Sequence, residues 1–527
     1  MTRKIVNPVL AGFHPDPSFI RVGDDYYIAT STFEWFPGVE IHHSKDLVHW
    51  HSISRVLTEA SQIDLRGNVS SGSIWAPALS YDQGVFYLLF TDVKSRKSVY
   101  KDLHNYLIIA TDIMGPWSEP IRLNGSGFDP FLFHDLDGTK WLLNMRWDFR
   151  KNHNNFSGII MQQYDPETGK LTGPIHEIYK GTPIGVTEGP QLYQKDGYYY
   201  LLTAEGGTGI NHMVTLARSR SLTGPYETDP DFPIMTTAHD LTYPFQQAGH
   251  GSLVETQNGD WYMAHLCARP IPGTSTMNPL GRETAIQRCE WTEDGWLRLA
   301  HGGKLPALET VAPELPIFTF EELPNRDEFD GEVLGFPYQS LRVPFDESWV
   351  SLKERPGFLR LRGRESLASL HDQSLIARPI QHFECSATTC LEFEPDSFLQ
   401  MAGLVLYYDD SDYYYLRVTA DEIRGTSLGV VLCRGGKYDE ISSMQLSVKN
   451  WDRYYLKAEI HGRDLLFYAS SDGVNWTAVC TPLDFGTLSD EYGGKLGFTG
   501  SYVGVCAQDL DQQAKPAYFD YFEYKAL

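Results

Sequence analysis

Between Asp16 and Ala268 a short apolar run, a tight turn and an aromatic-rich strand recur five times. The aromatic-rich members read GDDYYIATSTF from Gly23, DQGVFYLLFTD from Asp82, DGTKWLLNMRWD from Asp137, KDGYYYLLTAEGG from Lys195 and NGDWYMAHLCA from Asn258. The runs before them are DPSFI from Asp16, APALSY from Ala76, DPFLFH from Asp129, EGPQLY from Glu188 and HGSLVE from His250. Strand, Asp/Asn-Gly turn and strand make a hairpin. Several hairpins continue into a shared signature, seen in HSKDLVHW, ATDIMGPW and ARSRSLTGPY. A hairpin this short cannot bury its apolar face alone, so a repeated one must stack on its copies. Units of about 50–60 residues with roughly four strands each predict a five-bladed β-propeller.

The rest of the chain is read against that repeat. Runs with helical periodicity are scarce, and aromatic residues reach 13%, which suits pleated sheets and sugar-stacking sites alike. The repeat stops near residue 310. ALETVAPELPIFTFEELPNRDEFDG then switches between apolar and acidic residues and reads as a linker. Strands such as FLRLRG, AGLVLYYDD, YYYLRVTA, YYLKAEIHG and LLFYASSDG follow at roughly ten-residue spacing, the pattern of a β-sandwich. The expected organisation is an all-β chain: a propeller over 1–312, a linker over 313–325 and a sandwich over 326–527.

A net charge of −24 argues against nucleic acid or an anionic membrane as partner, and no apolar run is long enough to span a bilayer. The opening MTRKIVNPVLAGFHPDPSF has no apolar core of a signal peptide. Seven cysteines without CxxC spacing read as reduced, buried thiols, so the expected location is the cytoplasm.

The innermost strand of each propeller blade starts at one face of the central channel, so equivalent strand starts converge. Aligning them gives Asp16, Trp75, Asp129, Glu188 and His250. Three acids facing one another repel, which costs stability and drives their pKa values apart. Each has a bland alternative. Asp before Pro is a common strand-entry residue, Glu188 is also readable as a loop acid, and Glu205 is a competing candidate, though it lies at the far end of its strand. Phe33 and Trp75 are either core aromatics or walls for a sugar ring. His250 is a satisfied histidine or one ligand of a Ca²⁺ in the channel, a weak case without a second ligand. Arg288 forms a structural ion pair, or else holds one carboxylate ionised and donates to substrate hydroxyls.

NPVLAGFHPDPSFIRVGDDYYIATSTFEWFPG, SIWAPAL, GFDPFLF, TEGPQLY and ETAIQR together closely resemble the β-xylosidase branch of glycoside hydrolase family 43, in register over nearly the whole chain. The resemblance implies a five-bladed propeller followed by a concanavalin-like jelly-roll sandwich. It implies an exo-acting inverting hydrolase that releases xylose from the non-reducing end of β-1,4-xylo-oligosaccharides, with α-L-arabinofuranosidase side activity and no required cofactor. It further implies Asp16 as general base, Asp129 as the acid that orients and tunes, and Glu188 as general acid. Implied substrate contacts are Phe33, Trp75, Phe128, Thr208, His250 and Arg288, with Tyr502 in SYVG replacing a Phe on a sandwich loop over the pocket. Relatives are often dimers or tetramers, so a homo-oligomer is the assembly the resemblance implies. Two alternatives stay open: an enzyme that is mainly an α-L-arabinofuranosidase, and a non-catalytic carbohydrate-binding propeller. Loss of one of the three acids would favour the second, and all three are present.

Overall fold

The computed structural model describes residues 3–96, 98–441 and 445–527. Its first part is a ring of five antiparallel sheets. Blade I is built from Ser18–Val22, Asp25–Thr30, Gly38–Ser44 and His51–Leu57, and blade II from Ser73–Asp82, Val85–Val93, Leu103–Ala110 and Ile121–Asn124. Blade III comprises Gly127–His134, Lys140–Trp147, Phe156–Asp165 and Lys170–Tyr179. Blade IV comprises Glu188–Lys195, Tyr198–Glu205, Met213–Ser219 and Glu227–Thr228, with Met235–Thr236 as a fifth strand. Blade V runs through Gln246–Glu255, Trp261–Ala268, Arg282–Trp291 and Leu297–Leu299. The turns form where the sequence allows left-handed backbone. Gln83 and Gly84 have φ of 49° and 86°, and Asp196 and Gly197 have 50° and 73°, the paired positive angles that suit the twist of a two-residue hairpin.

The ring is closed by its own ends. Lys4–Val6 pairs antiparallel with Glu309–Val311, beyond blade V, and Leu10 bridges to Thr284 in that blade. The seam therefore joins the two ends of the propeller, and the first blade is held against the last.

The innermost strand of every blade enters irregularly, and this positions the site. Pairing of first and second strands aligns Ser18, Ala78, Phe131, Gln191 and Ser252, opposite Ala29, Leu89, Leu143, Leu202 and Ala264. Two residues earlier stand Asp16, Ala76, Asp129, Gly189 and His250, all with φ between 34° and 57°. In blades II to V this left-handed residue falls within a register shift, a bulge that lets neighbouring side chains turn into the channel together. The sequence alignment is thus one residue out in blades II and IV, where Ala76 and Gly189 hold the equivalent positions rather than Trp75 and Glu188. The left-handed positions mark the site, since strained backbone of this kind costs about 1–3 kcal/mol per residue and persists only where the surroundings enforce it.

The second part is a sandwich of two antiparallel sheets. One contains Leu359–Arg362, Pro516–Ala526, Glu384–Glu392, Tyr454–His461 and Asp464–Ser470 in that order. The other contains Ser374–Pro379, Tyr502–Asp509, Gln400–Asp409, Asp412–Asp421 and Gly425–Arg434. The facing sides enclose a core with Leu404, Leu416, Leu456 and Phe519, while the outer face of the second sheet packs on the propeller through Val405, Tyr407 and Tyr415. The two parts share one apolar cluster that reaches Phe33, Trp35, Trp75 and Phe128. Ser340–Leu341 also pairs with Trp35–Phe36, and the buried Arg342 donates to the carbonyl of Asn68. The sandwich is therefore a fixed wall for the ring.

Candidate active site

Where the five innermost strands converge, the ring opens into a cavity of about 400 Å³ lined by Asp16, Phe33, Trp75, Phe128, Asp129, Glu188, Thr208, His250 and Arg282, with Leu496 and Phe498 from the sandwich. The three acids are buried, at 5%, 7% and 6% exposure for Asp16, Asp129 and Glu188. Buried carboxyls need partners or protons, and here the environment supplies different ones to each.

Asp16 is surrounded by donors. Arg282 Nη1 donates to Oδ1 at 3.0 Å, Ser31 Oγ donates to Oδ2 at 2.7 Å, and His250 Nδ1 lies 3.7 Å from Oδ1. Ser31 is aimed by its acceptance of the Ala76 N–H at 2.8 Å, a donor offered by the bulge of blade II. Burial alone would push Asp16 up, but Arg282, His250 and the Ser31 bond more than offset it and hold the carboxyl below its ordinary range. Asp129 accepts the Gly189 N–H at 2.9 Å and is pushed up to about 7, by burial first and then by the charge on Asp16. Glu188 is raised well above the carboxylate range by burial, then by Asp129 and Asp16, and its Oε1 is buried without a hydrogen-bond partner among the described residues. One acid is thus held below the ordinary carboxylate range, and the adjoining pair is raised above it.

Gly189 is needed twice. Its φ is 57°, and a Cβ there would stand 3.2 Å from Nε2 of His250, whose ring packs over it. Around the acids the aromatics form a box: Trp75 lies 5.4 Å from both Phe128 and Phe498 and 6.1 Å from Phe33, ring centre to ring centre. Such walls stack on the apolar faces of a sugar ring and leave its hydroxyls to Asp16, Arg282, Thr208 and His250.

Two expected contacts are elsewhere. Arg288 pairs with Asp260 at 3.0 Å and is absent from the lining; its bland reading, an ion pair, is the correct one. The arginine beside the acids is Arg282, only 3% exposed, which also donates to the Phe498 carbonyl at 3.0 Å. Topology gives the reason. The third strand of a blade runs parallel to the first, so in Arg282–Trp291 the first residue and not the seventh meets the channel. Tyr502 is likewise not a pocket wall. It lies stacked on Trp35, ring centres 3.6 Å apart at 13°, and its hydroxyl donates to Gln339 at 3.0 Å. The sandwich reaches the pocket four residues earlier, through Phe498. Glu205 is buried, its Oε1 accepting from the Thr182 N–H at 2.9 Å and the Thr187 hydroxyl at 3.1 Å and its Oε2 from the Thr182 hydroxyl, a structural set.

A Ca²⁺ beside His250 would take about six to eight oxygen ligands, waters included. The carboxylate beside it, Asp16, is already held by Arg282, and the other imidazole of this neighbourhood, His212, is fully buried and held down to about 3 by burial, then by His250 and Arg282. Among the described residues one cluster has ligand atoms close enough for a cation, His14, Glu40 and His42. His42 already bonds Thr30 and Ser52, and Glu40 bonds Ser52 and Arg55, so those atoms are spoken for within the protein.

Comparison with known proteins agrees with the geometry. Residues 5–297 match the model of glycosyl hydrolases family 43, and residues 326–525 that of the beta xylosidase C-terminal concanavalin A-like domain. The chain is 46% identical to a beta-xylosidase of Bacillus subtilis (strain 168), with 99% of each chain covered. It is 44% identical to a xylosidase/arabinosidase 43B of Humicola insolens, over 99% of this chain and 98% of that protein. The crystal structure of a xylan beta-1,4-xylosidase from Bacillus halodurans C-125 superposes with a TM-score of 0.97 at 55% identity, covering 99% of this chain and 100% of that one. With its acids at the convergence of five blades and its pocket walled by the sandwich, the chain belongs to glycosyl hydrolase family 43, a family of inverting glycoside hydrolases.

Proposed function

We propose that the chain removes xylose from the non-reducing end of β-1,4-xylo-oligosaccharides by single displacement, with Asp16 as general base, Glu188 as general acid and Asp129 as the group that keeps Glu188 protonated. The observation that carries this reading is the division of three buried carboxyls into one held ionised by Arg282 and Ser31 and two held above the carboxylate range by burial and mutual repulsion. An inverting glycosidase needs that division. Asp16 accepts a proton from water as the water oxygen bonds to the anomeric carbon. Glu188 gives its proton to the glycosidic oxygen as the carbon–oxygen bond breaks. Asp16 is left protonated and Glu188 ionised, and proton exchange with solvent restores both. Two carboxyls and a water balance the reaction. Phe498 and Leu496 close one side of the pocket, which favours a chain end over a chain middle. The names xylosidase and xylosidase/arabinosidase among the relatives support an α-L-arabinofuranosidase side activity.

Among the described residues no helix is long and apolar enough to cross a membrane. All seven cysteines are free and buried, which supports the cytoplasmic reading. Assembly into a dimer or tetramer is carried by the family resemblance alone.

The test is release of xylose from xylobiose and nitrophenyl β-xyloside, with slower turnover of nitrophenyl α-L-arabinofuranoside, followed against pH. kcat/KM is expected to be bell-shaped. Its acid limb reports Asp16 and lies below the usual carboxylate range. Its alkaline limb reports the pair of Asp129 and Glu188 and lies above that range. No hydrolysis of either xyloside, or an arabinofuranoside cleaved faster than both, would overturn the assignment.

A further inference from the structure

Arg96 and Lys101 stand at the mouth of the pocket, on the segment between the second and third strands of blade II. The Arg96 guanidinium lies 4.8 Å from the Phe498 ring centre, and Nε donates to the Ser70 carbonyl at 3.1 Å. Lys101 Nζ lies 4.6 Å from the Trp147 ring centre and donates to the Arg96 carbonyl at 3.3 Å. Neighbouring cations are neutralised locally: Lys94 pairs with Asp92 at 3.1 Å, and Arg150 with Asp148 at 2.6 Å. Among the described residues neither Arg96 nor Lys101 has a carboxylate within salt-bridge distance. Burial lowers both from their ordinary values, so both stand to gain from an anion. The charges that reach Arg96 from beyond salt-bridge distance are those of Tyr408, Glu34, Asp490 and Asp409; Glu34 and Asp490 are buried and pushed up to about 7, and Asp409 is itself paired with Lys495.

A neutral xylose leaving group would meet them only as hydrogen-bond donors, whereas a carboxylate would also gain from their charge. In a pocket entered by a chain end, the cleaved xylose sits on the buried floor with the three acids, and the rest of the substrate passes the mouth. We propose that Arg96 and Lys101 select substrates whose leaving portion carries a carboxylate, either an aldonic acid at the chain end or a uronic acid branch on the leaving sugar. This rests on the hydrolase reading above and adds the charge of the aglycone to it.

The test uses matched pairs. Xylobionate and xylobiitol differ only at C1 of the leaving unit, carboxylate against hydroxymethyl, far from the O4 that departs. At low ionic strength kcat/KM for xylobionate is expected to exceed that for xylobiitol by about fivefold, the size of two partly exposed ion pairs, and to approach parity near 0.5 M salt. In Lys101→Gln combined with Arg96→Gln the ratio should fall to one or below. A purely structural role would slow both substrates alike and leave the ratio unchanged. The second pair is a xylo-oligosaccharide with a glucuronic acid branch on the leaving xylose and its carboxyl-reduced counterpart. A charge preference in either pair supports the inference, and the pair that shows it identifies the source of the carboxylate. Hydrolysis of the neutral compounds with no preference in either pair, or a preference indifferent to salt and to the substitutions, would overturn this inference and leave the hydrolase reading intact. No hydrolysis of any of them would overturn both.

Discussion

Glu188→Ala is expected to slow xylobiose hydrolysis by about 10²–10⁴-fold while leaving most of the activity on dinitrophenyl β-xyloside. Xylobiose departs as an alkoxide that must be protonated as the bond breaks, whereas a dinitrophenolate is stable without a proton. The burial and charge that raise Glu188 are what make it an acid near neutral pH, so the variant should also lose the alkaline limb of its pH profile. Glu205→Ala is the control. It removes an acceptor from Thr182 and Thr187, so it should cost about 1–3 kcal/mol of stability with no dependence on leaving group. Leaving-group discrimination by Glu205→Ala in place of Glu188→Ala would move the acid to the neighbouring strand at the same end of that hairpin.

Asp16→Asn is expected to lose about 10²–10⁴-fold on xylobiose and dinitrophenyl xyloside alike, because water must be activated whatever departs. The two substitutions should therefore leave opposite signatures with the same two substrates. Asp16→Asn also leaves Arg282 buried beside a neutral amide, and breaking a buried pair costs about 3–5 kcal/mol. A melting curve separates that loss from the chemical one. A folded Asp16→Asn enzyme that keeps substantial activity on either substrate would place the base elsewhere.

Much of this arrangement is legible in the sequence because propeller blades are local objects. A two-residue turn such as Asp196-Gly197 and an alternating strand announce a hairpin within about 20 residues, and five copies announce the ring. The acids follow from where strands begin. Which way side chains point at those beginnings is not legible in the same way. Bulges put Ala76 and Gly189 where simple counting puts Trp75 and Glu188, and only because the bulge turns adjacent residues inward do Trp75 and Glu188 still reach the pocket. The X-Pro pairs Asp16-Pro17, Ala76-Pro77, Asp129-Pro130 and Gly189-Pro190 carry the signal for the true register. Motif reading favours Arg288 over Arg282 although both lie on one strand, and strand direction chooses between them. Phe498 and Tyr502 are harder. Each depends on how the sandwich seats against the ring, a long-range packing outcome that no local motif encodes. The same holds for Arg96 and Lys101, whose importance lies in the carboxylates that do not face them.

Single displacement by water on Asp16 is tested most directly by proton NMR of the xylose released in the first moments of β-xyloside turnover, before mutarotation. Inversion predicts the α-anomer first, with the β-anomer growing in later. Initial appearance of the β-anomer would require a carboxylate nucleophile and a covalent intermediate, and would contradict Asp16 as the base that activates water.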